Sequence, residues 1–383
     1  MGGNSIHMFD KNKMLLKPQN IAVHHAGGLG DLLVATAALY EITNMYPEAK
    51  ITLVGSGWWT QIILPTQWPQ IDQILETVVN KRFKKLKLWK SIIGDNSWNE
   101  VEFNKKSLKE FLKDFQMTID FRSKSLRFAF SSYAANVAIR VGSNRSKLAK
   151  PLFTHFIHDK KGAHLHERDR FLNIVAALDL EYFTKRKNYW HEYGLPALKW
   201  FPPDYQKYLN SCRDKKLILI NPTSSIREKA WQSHRFREAA LKLKSNDVII
   251  KIIGALNETE WLQEVAQEDF EIVQPASILE LVDKVKEASL LITNTSSMQF
   301  IAAGTQTPTL TLVGSASELR WGPLGLHDRK LKMAKECDYP KPKFISRKEL
   351  GKLQEKIAYD KITVSAVVEC AQKTLQAHLE KTV

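Results

Sequence analysis

The chain has 383 residues, 44% apolar and 25% charged, which suits a soluble globular protein with room for two cored domains. Its apolar runs are only strand-length, its first residues lack the apolar core of a secretory signal, and Ile6 stands where a myristoylation signal needs Ser or Thr, so neither a span nor a lipid anchor is expected. The formal charge of +15 is concentrated in the first half, where residues 1–200 hold 29 Lys and Arg against 18 Asp and Glu, while residues 201–383 hold 27 against 23.

Such a basic half implies an acidic partner: nucleic acid, anionic lipid or an acidic glycan. No zinc finger, RNA-recognition motif or basic tail is present, so nucleic acid is not expected. Cys212, Cys337 and Cys370 have no paired spacing, which points to a reducing cytoplasm.

In chain order, the first unit is Ile21–Tyr40. An apolar run, Ile21 to Val23, stops at Gly27, Gly28 and Gly30, and helical spacing of Leu32, Leu33, Ala35, Thr36 and Leu39 follows from Asp31. Glycines there let backbone approach a ligand, and the helix start offers N–H groups to an anion. Asp31 is either a helix cap or a catalytic base, and the two roles can coexist. A dinucleotide fingerprint fits poorly, because Leu33 fills the third glycine position and the next strand, Ile51–Val54, runs into Gly55-Ser56-Gly57 with no acid.

Lys50–Gly55 reads as a strand, and Ile71–Val79 as a further element. In Lys81–Ile93, KRFKKLKLWKSII, the residues Phe83, Leu86, Trp89 and Ile93 fall at helical spacing among six Lys and Arg. That pattern predicts an amphipathic basic helix, either resting on an anionic membrane or presenting a solvated face. Phe115–Phe121 is a strand ending near Asp120, then come Arg122-Ser123-Lys124-Ser125 and an apolar helix; Val137–Val141 leads to Gly142, and His164–Leu180 is helical. Gly194-Leu195-Pro196 and Phe201-Pro202-Pro203 mark a joint.

The alternation then restarts, with strands at Lys216–Ile220, Val248–Ile253, Ile272–Val273, Leu290–Thr293 and Thr309–Val313, and helices at Phe236–Leu243, Glu258–Ala266, Ile278–Ala288 and Ser296–Ala303. Two such runs predict two Rossmann-like domains, 1–200 and 201–355, with a cleft between them. Ligands in these folds sit beyond the carboxyl ends of the strands, where Asp31, Asn221–Lys229 and Asn294–Met298 fall.

Several stretches together resemble glycosyltransferase family 9, the ADP-heptose:lipopolysaccharide heptosyltransferases. They are GGLGDLLVATAAL with Tyr46–Ile51, NPTSSIREKAWQSHRFREAA (221–240), NTSSMQFIAAGTQTPTLTLVG (294–314) and Arg320-Trp321-Gly322-Pro323; fainter matches lie at Ile119–Ser123 and at His164, Arg168 and Arg170–Leu172. They occur in family order over nearly the whole chain. The resemblance implies an α/β fold of the GT-B kind: two Rossmann-like, doubly wound domains, acceptor held mainly by the first and nucleotide sugar by the second. It also implies a C-terminal helix, 356–383, packing back on the first domain.

The resemblance makes Asp31 the base that deprotonates the acceptor hydroxyl as it attacks and inverts the anomeric carbon. Lys229, matching the family's lysine, would neutralise the leaving diphosphate, with Arg227 nearby. Thr223, Ser224, Asn294, Thr295 and the helix start at Ser296, Ser297 and Met298 would hold the nucleotide. Gly28, Gly30, Arg122, Lys124 and Arg127 are candidates for acceptor contacts. The chain has no Asp-x-Asp, so no metal or other cofactor is expected; an ADP-linked sugar would be the co-substrate. An acidic lipopolysaccharide core fits the basic first domain and implies a cytoplasmic enzyme peripheral to the inner membrane. Thr295, Phe300 and Ser297 replace the family's Asp, His and Gly, so the sugar is open between heptose and another. Other classes remain: a nucleotide-sugar epimerase or hydrolase, a nicotinamide oxidoreductase, or a non-catalytic binding protein.

Overall fold

A computed structural model of the chain describes residues 17–79, 84–92, 97–102, 107–121, 126–144, 146–159, 165–185, 216–316, 318–325, 328–335, 338–339 and 346–379. The chain divides into two compact units, Met1–Pro196 and Ala197–Val383. Among the described residues no helix is long and apolar enough to cross a membrane.

The first unit is built on β1 (Asn20–His25), whose Ile21, Ala22 and Val23 are fully buried, as a central strand covered on both faces requires. The chain continues through α1 (Leu29–Met45), β2 (Lys50–Gly55), α2 (Trp59–Ile62), β3 (Ile71–Val79), β4 (Lys84–Ile92), β5 (Ser97–Val101) and α3 (Leu108–Leu112). It ends with β6 (Met117–Asp120), α4 (Arg127–Ala134), β7 (Ile139–Asn144), β8 (His155–His158) and α5 (Glu167–Ala176). The sheet order is β5-β4-β3-β2-β1-β6-β7-β8, parallel except for β4 and β5. Without that antiparallel pair this is the doubly wound order, reversing direction between β1 and β6.

The expected basic helix at Lys81–Ile93 is instead β4. Its residues pair antiparallel with β3 (Leu88 opposite Leu75, Lys87 opposite Glu76) and with β5. Leu86 and Leu88 join a core with Phe111, Phe115 and Phe128, while Lys87 and Trp89 share the other face. Alternation fits this run as well as helical spacing does, and the open edge of β3 decides between them. The ends of the run, 81–83 and residue 93, lie outside the described residues.

The second unit contains β9 (Lys216–Asn221), α6 (Ser233–Leu243), β10 (Val248–Ile253), α7 (Thr259–Ala266), β11 (Glu271–Val273), α8 (Ile278–Lys286) and β12 (Leu290–Asn294). After these come α9 (Ser297–Thr305), β13 (Thr309–Leu312), α10 (Glu318–Trp321), β14 (Arg329–Leu331), α11 (Arg347–Lys361) and α12 (Val364–Leu379). All six strands are parallel in the order β11-β10-β9-β12-β13-β14, the doubly wound order again, with its switch between β9 and β12. Trp231 anchors the core: it is buried, meets Phe236 edge-on at 4.9 Å, and its indole N–H donates to the Ile362 carbonyl at 3.0 Å. The C-terminal helix α12 buries Val367, Ala371 and Leu375 in this second core.

Asp328, just before β14, has an Oδ1 shut off from solvent, and burial pushes its carboxyl up from 3.8 to about 7. The Gly325 N–H, 2.7 Å from Oδ2, and hydrogen bonding from Thr309 pull the other way without cancelling the effect of burial. The folded state therefore binds the extra proton between those two values, and stability must fall as pH rises through that window. Asp328→Asn keeps an acceptor for Gly325 and removes the titration. At pH 8 the variant should be more stable than wild type by about 1–3 kcal/mol. At pH 4 the gain should vanish; urea melts at both pH values check this, and a gain independent of pH would reject it.

Candidate functional site

Doubly wound folds bind ligands at the switch point of the sheet, which in the first unit falls between β1 and β6. Gly55 ends β2 at φ +139°, with its backbone so near the His25 carbonyl that a Cβ would lie 2.3 Å from that oxygen. Past His25, Gly27 has no room for a side chain either, because a Cβ would come within 2.5 Å of the Asp31 Cβ. Gly28 is the N-cap of α1, and its N–H donates to Asp31 Oδ2 at 3.0 Å. Gly30 lies in the first turn. Asp31 is thus a cap, and it is half-buried beside open backbone at Gly28, which is exposed. A carboxylate so oriented, with a solvent-facing loop next to it, can also take a proton from a hydroxyl.

Behind this turn lies a pair that sequence reading did not single out. His24 Nδ1 is 2.9 Å from Asp120 Oδ1, adjacent across β1 and β6, and the imidazole stacks on Phe128 at 4.5 Å. His25 accepts the Gly27 N–H on Nδ1 at 2.9 Å and meets Phe171 edge-on. The signal was available, since two histidines close β1 and an aspartate closes β6, but nothing in the spacing joins residues 96 apart. Arg127 opens α4 and is exposed; Arg122 and Lys124 lie outside the described residues.

In the second unit a polar network ties the ends of β9 and β12 together. Thr293 donates to Asn221 Oδ1 at 3.1 Å, and Asn221 Nδ2 donates to the Ile253 carbonyl at 2.9 Å. Asn294 Nδ2 donates to the Pro222 carbonyl at 2.8 Å while its Oδ1 accepts the Trp231 N–H at 3.0 Å. Asn294 is fully buried and so shapes the loop from inside. Ser296 caps α9: its hydroxyl accepts the Met298 N–H at 3.3 Å and lies 3.1 Å from Thr293 Oγ1. Ser297 opens the helix, whose N-terminus carries partial positive charge. Thr295 turns its hydroxyl to the Leu312 carbonyl at 3.4 Å, and Phe300 is buried.

The loop after β9 carries Thr223, Ser224 and, further along, Lys229. Thr223 is buried and donates to Glu258 Oε2 at 3.0 Å; Ser224 is half-exposed. Lys229 ends a 3-10 turn, is exposed, and makes no ion pair among the described residues. Arg227 is drawn elsewhere: it pairs with Glu264 at 2.6 Å, lies over the Trp261 ring at 4.7 Å, and holds the Glu264 carboxyl below its usual range. Together these flank a separate cavity of about 500 Å³ with His234 and Arg237. Glu258 is the residue sequence reading missed here. Its carboxylate sits at the carboxyl end of β10, the position where doubly wound folds place an acid against ribose hydroxyls, but it follows the strand in an irregular turn.

Comparison with known proteins adds the following. The model of glycosyltransferase family 9 (heptosyltransferase) matches residues 105–352. No relative is found among curated proteins at the level of sequence. Among solved structures, the glycosyl transferase family 9 protein from Veillonella parvula DSM 2008 superposes with a TM-score of 0.63 at 18% identity, over 94% of this chain and 97% of that one. The ADP-heptose lps heptosyltransferase II of E. coli gives 0.62 at 14%, over 94% and 99%. E. coli heptosyltransferase WaaC with ADP gives 0.58 at 15%, over 93% and 99%. These likenesses carry the fold, which is GT-B.

Proposed function

The chain belongs to glycosyltransferase family 9, and from that premise we propose that it moves a heptose or related sugar from a nucleoside diphosphate onto an acidic lipopolysaccharide-core acceptor, inverting the anomeric carbon without a metal. The observation that carries the donor half is the switch point of the second sheet. There the N-terminus of α9, two hydroxyls and the Glu258 carboxylate lie at the strand ends, and the loop that leaves β9 carries the exposed Lys229. A structure bound to ADP exists for the similar WaaC, which makes ADP the first nucleotide to try.

Chemically, the acceptor oxygen attacks the anomeric carbon as Asp31 takes its proton. The bond from that carbon to the diphosphate oxygen breaks, and the electron pair leaves with the nucleoside diphosphate. Lys229 and the N-terminus of α9 meet the charge that gathers on the phosphate oxygens. Thr295 offers one hydroxyl where a carboxylate would grip two, so the donor sugar is expected to be held with fewer hydrogen bonds. The basic first half suits an acceptor bearing carboxylates and phosphates, presented at the cytoplasmic face of an anionic membrane.

The test is a thermal-shift panel of nucleoside diphosphates and sugar nucleotides, with and without EDTA. A ligand at about 100 times its Kd stabilises the folded state by roughly 2.7 kcal/mol. ADP or ADP-heptose should raise the melting temperature equally in both buffers. A rise that EDTA abolishes would remove the metal-free reading, and no rise with any nucleotide would remove the donor site.

A further inference from the structure

A cavity of about 350 Å³ lies at the amino ends of the first strands, the opposite end of the sheet from the Asp31 turn. Asn20, the first residue of β1, lines it, whereas the turn follows His25, the last. The length of that strand sets the two roughly 17 Å apart. The cavity takes no part in the chemistry at the carboxyl ends.

Its walls follow from the strand register. Gln73 stands opposite Thr52 on one side and Lys90 on the other, so these three side chains share a face. Further along that face Leu75 and Leu88, opposite each other, pack with Phe111 and Phe115. Between β2 and β3 the register slips, because Ile51 is opposite Ile71 while Thr52 is opposite Gln73. Asp72 is the extra residue, a bulge that releases it from the alternation of the strand, and it joins the lining. Burial pushes its carboxyl up while Lys50 and Lys90 pull the other way, yet it forms an ion pair with neither. Thr52 is 3% exposed, and neither its hydroxyl nor the Gln73 amide makes a hydrogen bond among the described residues.

A desolvated carboxylate, two ammonium groups that stop short of it and a buried hydroxyl without a partner leave charges of both signs to be met by something else. Glu102 and Asp114, both exposed, also line the cavity and bring the carboxylates to three against two ammoniums, which disfavours a lone anion. Leu88, Phe111 and Phe115 are buried and add apolar surface to the lining. We propose that this cavity binds an α-amino acid with an apolar side chain, its ammonium on Asp72, its carboxylate on Lys50, Lys90 and the Thr52 hydroxyl, and its side chain against Phe111 and Phe115. The volume falls within the range of small-molecule sites, about 300–1,000 Å³. The site is independent of sugar transfer and stands whether or not the chain is a transferase.

The test is calorimetric titration of the full chain with L-leucine and L-phenylalanine, and with two analogues of leucine that each lack one charge, 3-methylbutylamine and 4-methylpentanoate. At least one amino acid should bind, and both analogues should bind roughly tenfold more weakly or worse. Asp72→Asn, which keeps the shape of the side chain, should weaken amino-acid binding roughly tenfold. Lys90→Met, at an exposed position, should weaken it roughly 2- to 5-fold. Melting temperatures of the unliganded variants report the fold, and Lys90→Met alone decides the matter should Asp72→Asn fail to fold. Absence of binding by both amino acids overturns the site, as does equal affinity in wild type and the folded variants. An analogue that binds as tightly as leucine overturns the assignment to an amino acid.

Discussion

Replacing Asp31 by Asn is expected to cut sugar transfer by about 10²- to 10⁴-fold, the usual contribution of a positioned general base. The substitution is chosen because Asp31 carries two loads. Its carboxylate accepts the Gly28 N–H at the start of α1, and an Asn side-chain oxygen can accept that same bond. What is lost is the negative charge at a helix N-terminus, worth about 0.3–1 kcal/mol, together with the ability to hold a proton. α1 is buried almost throughout, from Leu32 to Leu39, so packing and not the cap maintains it. The melting temperature should therefore move by only a few degrees, and its rise with nucleoside diphosphate should match wild type. Release of nucleoside diphosphate in the presence of acceptor gives the rate. Transfer within tenfold of wild type would leave Asp31 as a helix cap only.

The two sheets were legible because their central strands are buried on both faces, and runs such as Ile21–Val23, Ile218–Ile220 and Leu290–Ile292 show it in apolar residues alone. The start of α9 was marked by Ser296, an N-cap of a favoured type, whereas α1 starts at Leu29 with Gly28 as N-cap, two residues before the Asp31 that the pattern marked. Lys84–Ile92 defeated the reading because Leu86 and Trp89 suit a helix while Leu86 and Leu88 suit a strand, and only the neighbouring β3 settles it. β8 (His155–His158) and β14 (Arg329–Leu331) are short edge strands without an apolar run, so no local signal announces them.

The site divided in the same way. Residues that act through their own backbone neighbourhood, Asp31 and Ser296 among them, stand where motif and helix start coincide. Pairings between residues distant in the chain did not declare themselves, even where one member, such as Thr223, stood in a motif. Thr293 with Asn221 are 72 positions apart, and Thr223 with Glu258 are 35 apart. Nothing in the sequence marks a partner for any of them until the strands bring their ends together, after which burial makes the pairing obligatory. In the sequence only its match to the family's lysine sets Lys229 above Arg227; the structure adds that Trp261 and Glu264 draw Arg227, two residues away on one turn, aside.

That contrast sets the second large effect. Lys229→Met should lower the turnover rate by about 10²- to 10³-fold, in line with removing a group aimed at charge that develops in the transition state. Most of the loss belongs in kcat, because the diphosphate gains charge as the glycosidic bond breaks and the lysine meets it best there. Stability should change by less than about 0.5 kcal/mol, since Lys229 is exposed and makes no ion pair among the described residues. Arg227→Met is the matched control of position. Its guanidinium is spent on Glu264 and the Trp261 face, and it should cost less than tenfold in rate. Steady-state kinetics on the two variants, with donor and acceptor varied in turn, separates them. Equal losses would mean that Arg227 leaves Glu264 when donor binds and shares the charge with Lys229. Loss in Arg227→Met alone would move the neutralising role to the arginine, and the isolation of Lys229 would then carry no chemistry.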